Sequence, residues 1–298
     1  NMLIAWTFII TFVLFDIFFE SYSGKNIVGY GGYSVYGDRI VSFFKDEPKV
    51  GGYIYSFYFI ILGFLFYEFN QKKNFIVIFS IIFLLGILLT GERSNTIKAL
   101  LGLLIFYTVL KEYDLKKKII IFTSTVTIFL IIILNSQNLK VRFVGQIKSY
   151  LTKNNEYFII YRSGYEVFKN YRYFGVGNKN YRVETCESNN LEKRKEFYYC
   201  NTHPHQIYFE FLSEHGLVGS FFLLFIFYKL ILSKFREIFK KDNIIPLGSF
   251  IYLLITFVPI LPSGAFFGDY MLTIFILNLS IFYATNQGLN IFNHHGNK

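Results

Sequence analysis

Charged residues are scarce in this sequence. They make up 17% of its 298 residues, whereas 53% are hydrophobic and 21% are aromatic; soluble domains are about 25% charged. This deficit indicates a chain that has lipid as its solvent. A large soluble protein with buried helices is the alternative, but apolar runs separated by basic residues are hard to place in water.

A basic stretch before the first apolar run is also lacking, so no cleavable signal peptide is evident. The sequence is apolar almost from Asn1, and we expect further helices upstream in a longer protein. No nucleic-acid-binding module is recognisable in the sequence. We therefore assign the net charge of +10 to orientation in the membrane and to contact with membrane lipid, and we predict no nucleic-acid partner.

Long apolar runs take up most of the chain. A helix needs about 20 residues to cross the hydrocarbon core of a bilayer, and polar flanks extend the shorter runs. We predict an all-α, polytopic membrane helix bundle of about eight spans, with residues 1–298 as a single membrane domain. The eight runs are 2–19, 53–69, 75–89, 97–110, 119–134, 217–232, 244–261 and 265–284.

Basic residues mark one side of these spans. The connections 70–74, 111–118 and 229–243 carry two, four and five Lys or Arg, whereas 91–95 carries one and 262–267 carries none. Short loops rich in Lys and Arg lie in the cytoplasm. The poorly charged connections therefore face the periplasm, and so do the two long connections that alternate with them.

The longer of these outer connections, 135–205, contains the only two cysteines, Cys186 and Cys200. An oxidising compartment permits a disulfide between them, and two free thiols are the alternative. A zinc site that adds His203 and His205 lacks the usual CxxC spacing, so we predict no metal.

A partly helical periplasmic loop is expected here. Residues 155–171 have apolar side chains at helical spacing, which predicts an amphipathic helix on or near the membrane surface. Arg162 lies on this helix. A surface ion pair with Glu166, four residues later, would be an ordinary explanation for it.

A second arginine lies in the segment "TGERSNTIKALLG". Gly91 can end one helix here, and Ser94 or Asn95 can cap the next, so the segment could be a turn and nothing more. Arg93, however, stands at the boundary of a lipid-embedded bundle, where an inward-facing guanidinium needs an anion. The planar, permanently charged fork of arginine suits phosphate.

Three of the five histidines fall within "THPHQIYFEFLSEHGLVG", just before an apolar run. Thr202 and Pro204 predict the start of a helix, which would place His205 on its first turn. A neutral imidazole in this place could accept a proton from a hydroxyl group. An interfacial histidine with no role is the alternative.

These motifs together resemble the O-antigen ligase and O-antigen polymerase superfamily. His205, Gln206, Gly216 and Gly219 match the ligase pattern, "GERS" resembles its Gly-x-Arg-Ser segment, and "YRSGYEVFKNYRYFGVGNKNY" resembles its loop helix and Gly-x-Gly turn. The family often has Trp and then Pro in that helix, where this chain has tyrosines, and it usually has ten or more spans.

The resemblance implies a glycosyltransferase of the bacterial inner membrane with its active face in the periplasm. Its donor would be a glycan on a polyprenyl diphosphate. Its acceptor would be a lipid A-core (ligase), a glycan (polymerase) or a protein, as in the O-oligosaccharyltransferases of the same superfamily. By position in the motifs, Arg93 and Arg162 would bind the diphosphate and His205 would activate the acceptor hydroxyl, with His203 beside it. No cofactor is implied, and a diphosphate leaving group makes a metal unnecessary.

Two other classes of function compete with this one. A transporter or flippase would place ionisable groups in mid-span, but the ionisable residues of the predicted spans lie near their ends. A non-enzymatic membrane scaffold would explain the topology but not the three motifs.

Overall fold

The computed structural model describes residues 2–31, 39–45, 47–145, 155–186, 197–240 and 244–285. It is helical, with no strand in these ranges. The chain divides into two compact units. The first contains the described residues of 1–146, 237–255 and 278–290, and the second contains those of 147–236 and 256–277.

The first unit is built around helix α2, in which 78% of the most apolar stretch is buried. Helices α1, α3 and α4 all pack against it. Glycine allows the contact with α4, since a Cβ at Gly102 would lie 2.1 Å from the Phe59 ring. The helices are α1 (Met2–Ser23), α2 (Val50–Glu68), α3 (Lys73–Leu89), α4 (Arg93–Val109), α5 (Leu115–Asn135) and α6 (Gln137–Lys140).

Two buried carboxylates of α1 attach the next connection to the end of that helix. Asp16 accepts a hydrogen bond from the backbone N–H of Ile27 at 2.9 Å, and Glu20 accepts one from that of Val41 at 3.0 Å. Buried carboxylates are tolerated when backbone donors satisfy them. These bonds explain why an apolar helix carries two acidic residues near its end.

The second unit has helices α7 (Glu156–Asn170), α8 (Tyr181–Cys186) and α9 (Ile207–Leu230). Helix α7 packs along α9. Phe227 of α9 forms an aromatic cluster with Phe257, Phe266 and Phe275, in which the centroids of contacting rings are 4.9–6.2 Å apart. The chain continues with α10 (Phe235–Lys240), α11 (Ile244–Thr256) and α12 (Asp269–Ala284).

All eight predicted apolar runs contain a helix, but the helices differ in length. Four are long and apolar enough to cross a membrane, namely α1, α2, α5 and the stretch Ile207–Lys234 that includes α9. Helices α3, α11 and α12 are apolar but have 17, 13 and 16 residues. Over the described residues the structure supports an all-helical membrane protein with four candidate spans, and the count of eight stays a prediction.

Candidate functional site

Arg93 lies in the turn between α3 and α4. Gly91 follows the end of α3 with a φ of +71°, as expected for a glycine that terminates a helix. Helix α4 begins at Arg93 itself, with Glu92 in the N-cap position. The prediction that Ser94 or Asn95 caps α4 is therefore wrong, because both lie inside the helix.

The carboxylate of Glu92 holds this turn against the start of α2. It accepts hydrogen bonds from the backbone N–H of Gly51 at 2.8 Å and Gly52 at 2.9 Å, groups that the first turn of a helix leaves without internal partners. Asn95 also donates to it, and Arg39 lies 3.7 Å away. Burial raises the pKa of Glu92, while Arg39 and these hydrogen bonds act in the opposite direction. No local pattern indicates this role of Glu92, because these backbone donors lie 40 and 41 residues away in the chain.

The histidine segment precedes its helix and does not open it. Helix α9 begins at Ile207, and its N-cap is Gln206, whose side-chain oxygen accepts two first-turn N–H bonds at 2.8 and 2.9 Å. The predicted start at Thr202 and Pro204, with His205 on the first turn, is wrong. The physical reason is that a glutamine side chain can reach the N–H groups that Ser, Thr, Asp and Asn usually cap.

His205 has an unusual backbone conformation for a residue with a side chain. Its φ is +54°, and its carbonyl accepts a hydrogen bond of 2.9 Å from the N–H of Ser263. Such a conformation is strained and persists only where the surroundings impose it. The ring of Tyr157 packs edge-to-face on the imidazole, with centroids 6.1 Å apart. The chain thus holds this imidazole in a defined place.

His203 and His205 have ring centroids 4.1 Å apart. In His203, Nδ1 pairs with Thr202 Oγ1 at 2.9 Å and Nε2 pairs with the Ser263 carbonyl at 3.3 Å. Burial, followed by the neighbouring His205, lowers the pKa of His203 to about 4. Burial also lowers the pKa of His205, although the Ser263 backbone and Glu156 oppose that change. Both rings are therefore neutral near pH 7.

Arg162 lies on the exposed side of α7, where its guanidinium stacks on Phe197 with Cζ 3.4 Å from the ring centroid. Glu166, the partner expected for an ordinary surface ion pair, instead binds Lys169 at 3.1 Å. Phe197 belongs to none of the sequence motifs, and 35 residues separate it from Arg162.

The three predicted site residues do not all lie in one unit. Arg93 belongs to the first unit, and Arg162 and His205 belong to the second. Within α7, Tyr157 faces His205, and Arg162 is about 140° further around the helix axis at about 100° per residue. The meeting of the two arginines and the imidazole in one cavity stays a prediction.

A disulfide joins Cys186 to Cys200, so the alternatives of free thiols and of thiolate zinc ligands are both wrong. It connects the end of α8 with the chain that leads to the histidines. Nearby, the buried hydroxyl of Ser163 accepts hydrogen bonds from the N–H of Tyr199 at 2.9 Å and the hydroxyl of Tyr181 at 2.7 Å. Within the described residues, no group of three His, Cys, Asp or Glu side chains could hold a metal ion.

Glycines allow the backbone of α9 to meet the loop after α7. Gly216 kinks α9 with a φ of +64°, and a Cβ there would lie 2.3 Å from the backbone of Tyr173. Gly175, in that loop, has a φ of +68° and would meet the backbone of Glu214 at 2.3 Å. Gly219 follows one turn later, where a Cβ would lie 2.6 Å from a side chain of the preceding turn. Gly175 and Gly216 therefore mark a close contact between two backbones, whereas Gly219 makes room for a side chain of its own helix.

The apolar helices and the polar groups at their ends define a helical membrane protein. A comparison with protein-family models matches residues 78–226, half of the chain, to the family described as O-antigen ligase. The chain belongs to the O-antigen ligase family, and with its apolar helices this makes it a multi-pass bacterial membrane protein. No curated protein matches the chain at a significant level.

Proposed function

We propose that this protein is a membrane glycosyltransferase of the O-antigen ligase type. It transfers a glycan from a polyprenyl diphosphate to an acceptor hydroxyl on the periplasmic face of the bacterial inner membrane. The observation that carries this proposal is the family match over residues 78–226, which includes Arg93, Arg162 and His205. Arg93 begins α4 and His205 lies in the loop before α9, and binding and catalytic residues are concentrated on such loops and helix ends.

The acceptor hydroxyl is a weak nucleophile until a base is close to it. His205 supplies that base: its imidazole is neutral, because burial lowers its pKa, and it takes the hydroxyl proton as the oxygen attacks the anomeric carbon. The base is His205 and not His203, because both ring nitrogens of His203 already have partners. The bond between the anomeric carbon and the phosphate oxygen breaks as the new glycosidic bond forms.

Negative charge builds up on the departing polyprenyl diphosphate. Fixed cations stabilise such charge most where it develops in the transition state. Arg93 and Arg162 have this role in the proposal, and the stacking of Arg162 on Phe197 fixes the plane of its fork. Because a diphosphate is already a good leaving group, the reaction needs no metal.

Ligation to a lipid A-core is the favoured reaction, since the segment from His205 through Gln206 to Gly216 and Gly219 follows the ligase pattern. Polymerisation, which extends lipid-linked repeat units, is the second candidate. The two reactions differ only in the acceptor.

The test is an in vitro transfer assay in lipid nanodiscs with a polyprenyl-diphosphate glycan, with and without a lipid A-core acceptor. A product that depends on the core indicates a ligase, and chain lengthening without the core indicates a polymerase. His205→Ala and Arg93→Ala should each abolish the product, whereas Lys140→Ala, which removes an exposed cation, should not. Full activity of His205→Ala or of Arg93→Ala would contradict the proposed roles.

A further inference from the structure

One buried carboxyl group of α9 has no part in the proposed reaction. Glu210 lies one turn after the N-cap residue Gln206 and is 1% exposed. Its two oxygens accept hydrogen bonds from the backbone N–H of Phe266 at 2.9 Å and of Phe267 at 3.4 Å. A buried carboxyl group needs such donors. Because these donors lie 56 and 57 residues away in the chain, the group fixes a tertiary contact.

Both donors belong to the connection between α11 and α12, residues 257–268. Tyr208, in the first turn of α9, holds the other end of this connection, since its hydroxyl donates a hydrogen bond of 2.7 Å to the carbonyl oxygen of Phe257. The first two turns of α9 therefore attach the connection at both ends, with Ser263 between the two attachments.

Ser263 is the residue of this connection that the histidine segment contacts. Its N–H donates to the carbonyl oxygen of His205 at 2.9 Å, and its own carbonyl oxygen pairs with Nε2 of His203 at 3.3 Å. The φ of +54° at His205 persists only where the surroundings impose it. The segment that makes this contact is itself held by Glu210, three residues further along the connection.

We propose that Glu210 is a positioning residue for His205, on which it acts through Ser263 and the connection between α11 and α12. This inference rests on the proposed function of His205 and extends it to a carboxyl group that takes no part in the chemistry. Proton transfer depends on position, and a misplacement of about 1 Å can cost about a hundredfold in rate. Loss of this anchor should therefore lower kcat and leave binding of the donor little changed.

The test uses the purified full chain in nanodiscs and the variants Glu210→Gln, Glu210→Ala and Glu214→Gln. Glutamine keeps one acceptor oxygen, but its amide places a donor against the second N–H. We expect kcat to fall about tenfold in Glu210→Gln and about a hundredfold in Glu210→Ala, with a donor KM near the wild-type value. If Glu210→Ala does not fold, Glu210→Gln decides the question.

Glu214→Gln is the matched control. Glu214 is 2% exposed and lies one turn further along α9, but it accepts a hydrogen bond of 2.9 Å from the N–H of Lys179, in the loop after α7. This variant should lose about as much thermal stability as Glu210→Gln and keep a near-normal kcat. Equal losses of kcat in the two glutamine variants would overturn the inference, because loss of any buried anchor on α9 would then suffice.

Modification of the imidazole is a readout that does not depend on transfer. Diethyl pyrocarbonate acylates accessible neutral imidazoles, and mass spectrometry of peptides measures the rate at His205. We expect faster modification in Glu210→Gln than in the wild type or the control. The acidic limb of kcat should also move up toward about pH 6.5, because a released ring is better solvated. The titratable neighbours of this ring, which are His203, Glu156 and Tyr157, are the same in all variants.

These readouts distinguish failure of the inference from failure of the proposed function. A wild-type rate of modification in Glu210→Gln, or a wild-type kcat in that variant while His205→Ala is inactive, would overturn the inference alone. Full transfer by His205→Ala would overturn the proposed function instead, and the rates of modification would still test whether Glu210 positions the imidazole.

Discussion

The two neighbouring imidazoles of the second unit have different surroundings. His203 is almost fully buried and uses both ring nitrogens, one toward Thr202 and one toward Ser263. His205 is more accessible, and the positive φ at this residue turns it out of the helix that follows. In the proposed function, the residue with two satisfied nitrogens holds structure, whereas His205 exchanges a proton with the substrate.

The lowered pKa of His205 predicts how activity responds to acid. The folded protein keeps this base neutral at pH values where a free imidazole, with a pKa of about 6.5, is half protonated. The rate of transfer should therefore persist as the pH falls through 6.5 and decline only below that value. A pH profile of kcat in nanodiscs measures this, and an acidic limb at or above pH 6.5 would contradict it.

The stability of the folded protein must be measured over the same pH range as the rate of transfer. Between about pH 6.5 and the pKa of about 4 for His203, the unfolded chain binds more protons than the folded one, so acid destabilises the fold. A melting curve at each pH separates this loss of folded protein from protonation of the base.

The stacked pair of Arg162 and Phe197 allows a second test at the scale of single residues. Phe197→Ala removes the ring under the guanidinium, a contact of about 0.5–2 kcal/mol. We expect the donor KM to rise severalfold while the protein stays folded. Phe197→Tyr should retain near-normal KM. Phe158→Ala, which removes an exposed ring from α7, the helix that carries Arg162, serves as the control. An unchanged donor KM in Phe197→Ala would mean that Arg162 does not bind the donor or that its binding does not depend on the Phe197 ring.

At the scale of helices, the kink of α9 is the feature with the clearest steric requirement. Gly216→Ala places a methyl group 2.3 Å from the Tyr173 backbone at a φ of +64°. The loop after α7 must then move away, and both the stability and the activity should fall. Gly145→Ala is the matched control, because nothing lies within 4 Å of its Cβ position and its φ is not positive. Thermal unfolding and the transfer assay measure both effects; equal behaviour of the two variants would contradict the steric argument.

Helix positions could be predicted from the sequence, whereas helix ends could not. Long apolar runs require helices, because a backbone in lipid must satisfy its own hydrogen bonds. The ends depend on partners that are distant in sequence. Glu92 is held by the start of α2, and Ser263 holds His205 in its strained conformation. The predicted caps of α4 and α9 failed for this reason.

The candidate site likewise contains residues that could be predicted from the sequence and contacts that could not. Arg93, Arg162 and His205 could be proposed as candidates from the sequence because family motifs are short and local. Two contacts beside them could not be foreseen: Phe197 lies 35 residues from Arg162, on which it stacks, and Arg142 lies 51 residues from the Gly91 carbonyl that it binds. Contacts of this kind are set by tertiary packing and leave no periodic trace in the sequence.

At the scale of the whole molecule, the question is how many helices cross the membrane. Helices α3 and α4 have 17 residues each, or about 26 Å at 1.5 Å per residue. The hydrocarbon core is about 30 Å thick, so these helices span it only with their polar flanks or in a locally thinner bilayer. Basic residues at 70–74, before α3, and at 111–118, after α4, nevertheless predict that both connections lie on the cytoplasmic side.

Cysteine labelling tests that arrangement directly. The native cysteines form a disulfide, so one introduced cysteine is the single free thiol. In intact cells, a membrane-impermeant maleimide should label Arg182→Cys and Gly264→Cys but not Lys72→Cys or Lys116→Cys, all at exposed positions. Permeabilised cells should label all four. Labelling of Lys72→Cys or Lys116→Cys alone in intact cells would place an odd number of crossings between them. In that case α3 and α4 would not both span the bilayer, and the turn that carries Arg93 would lose its predicted place on the periplasmic side.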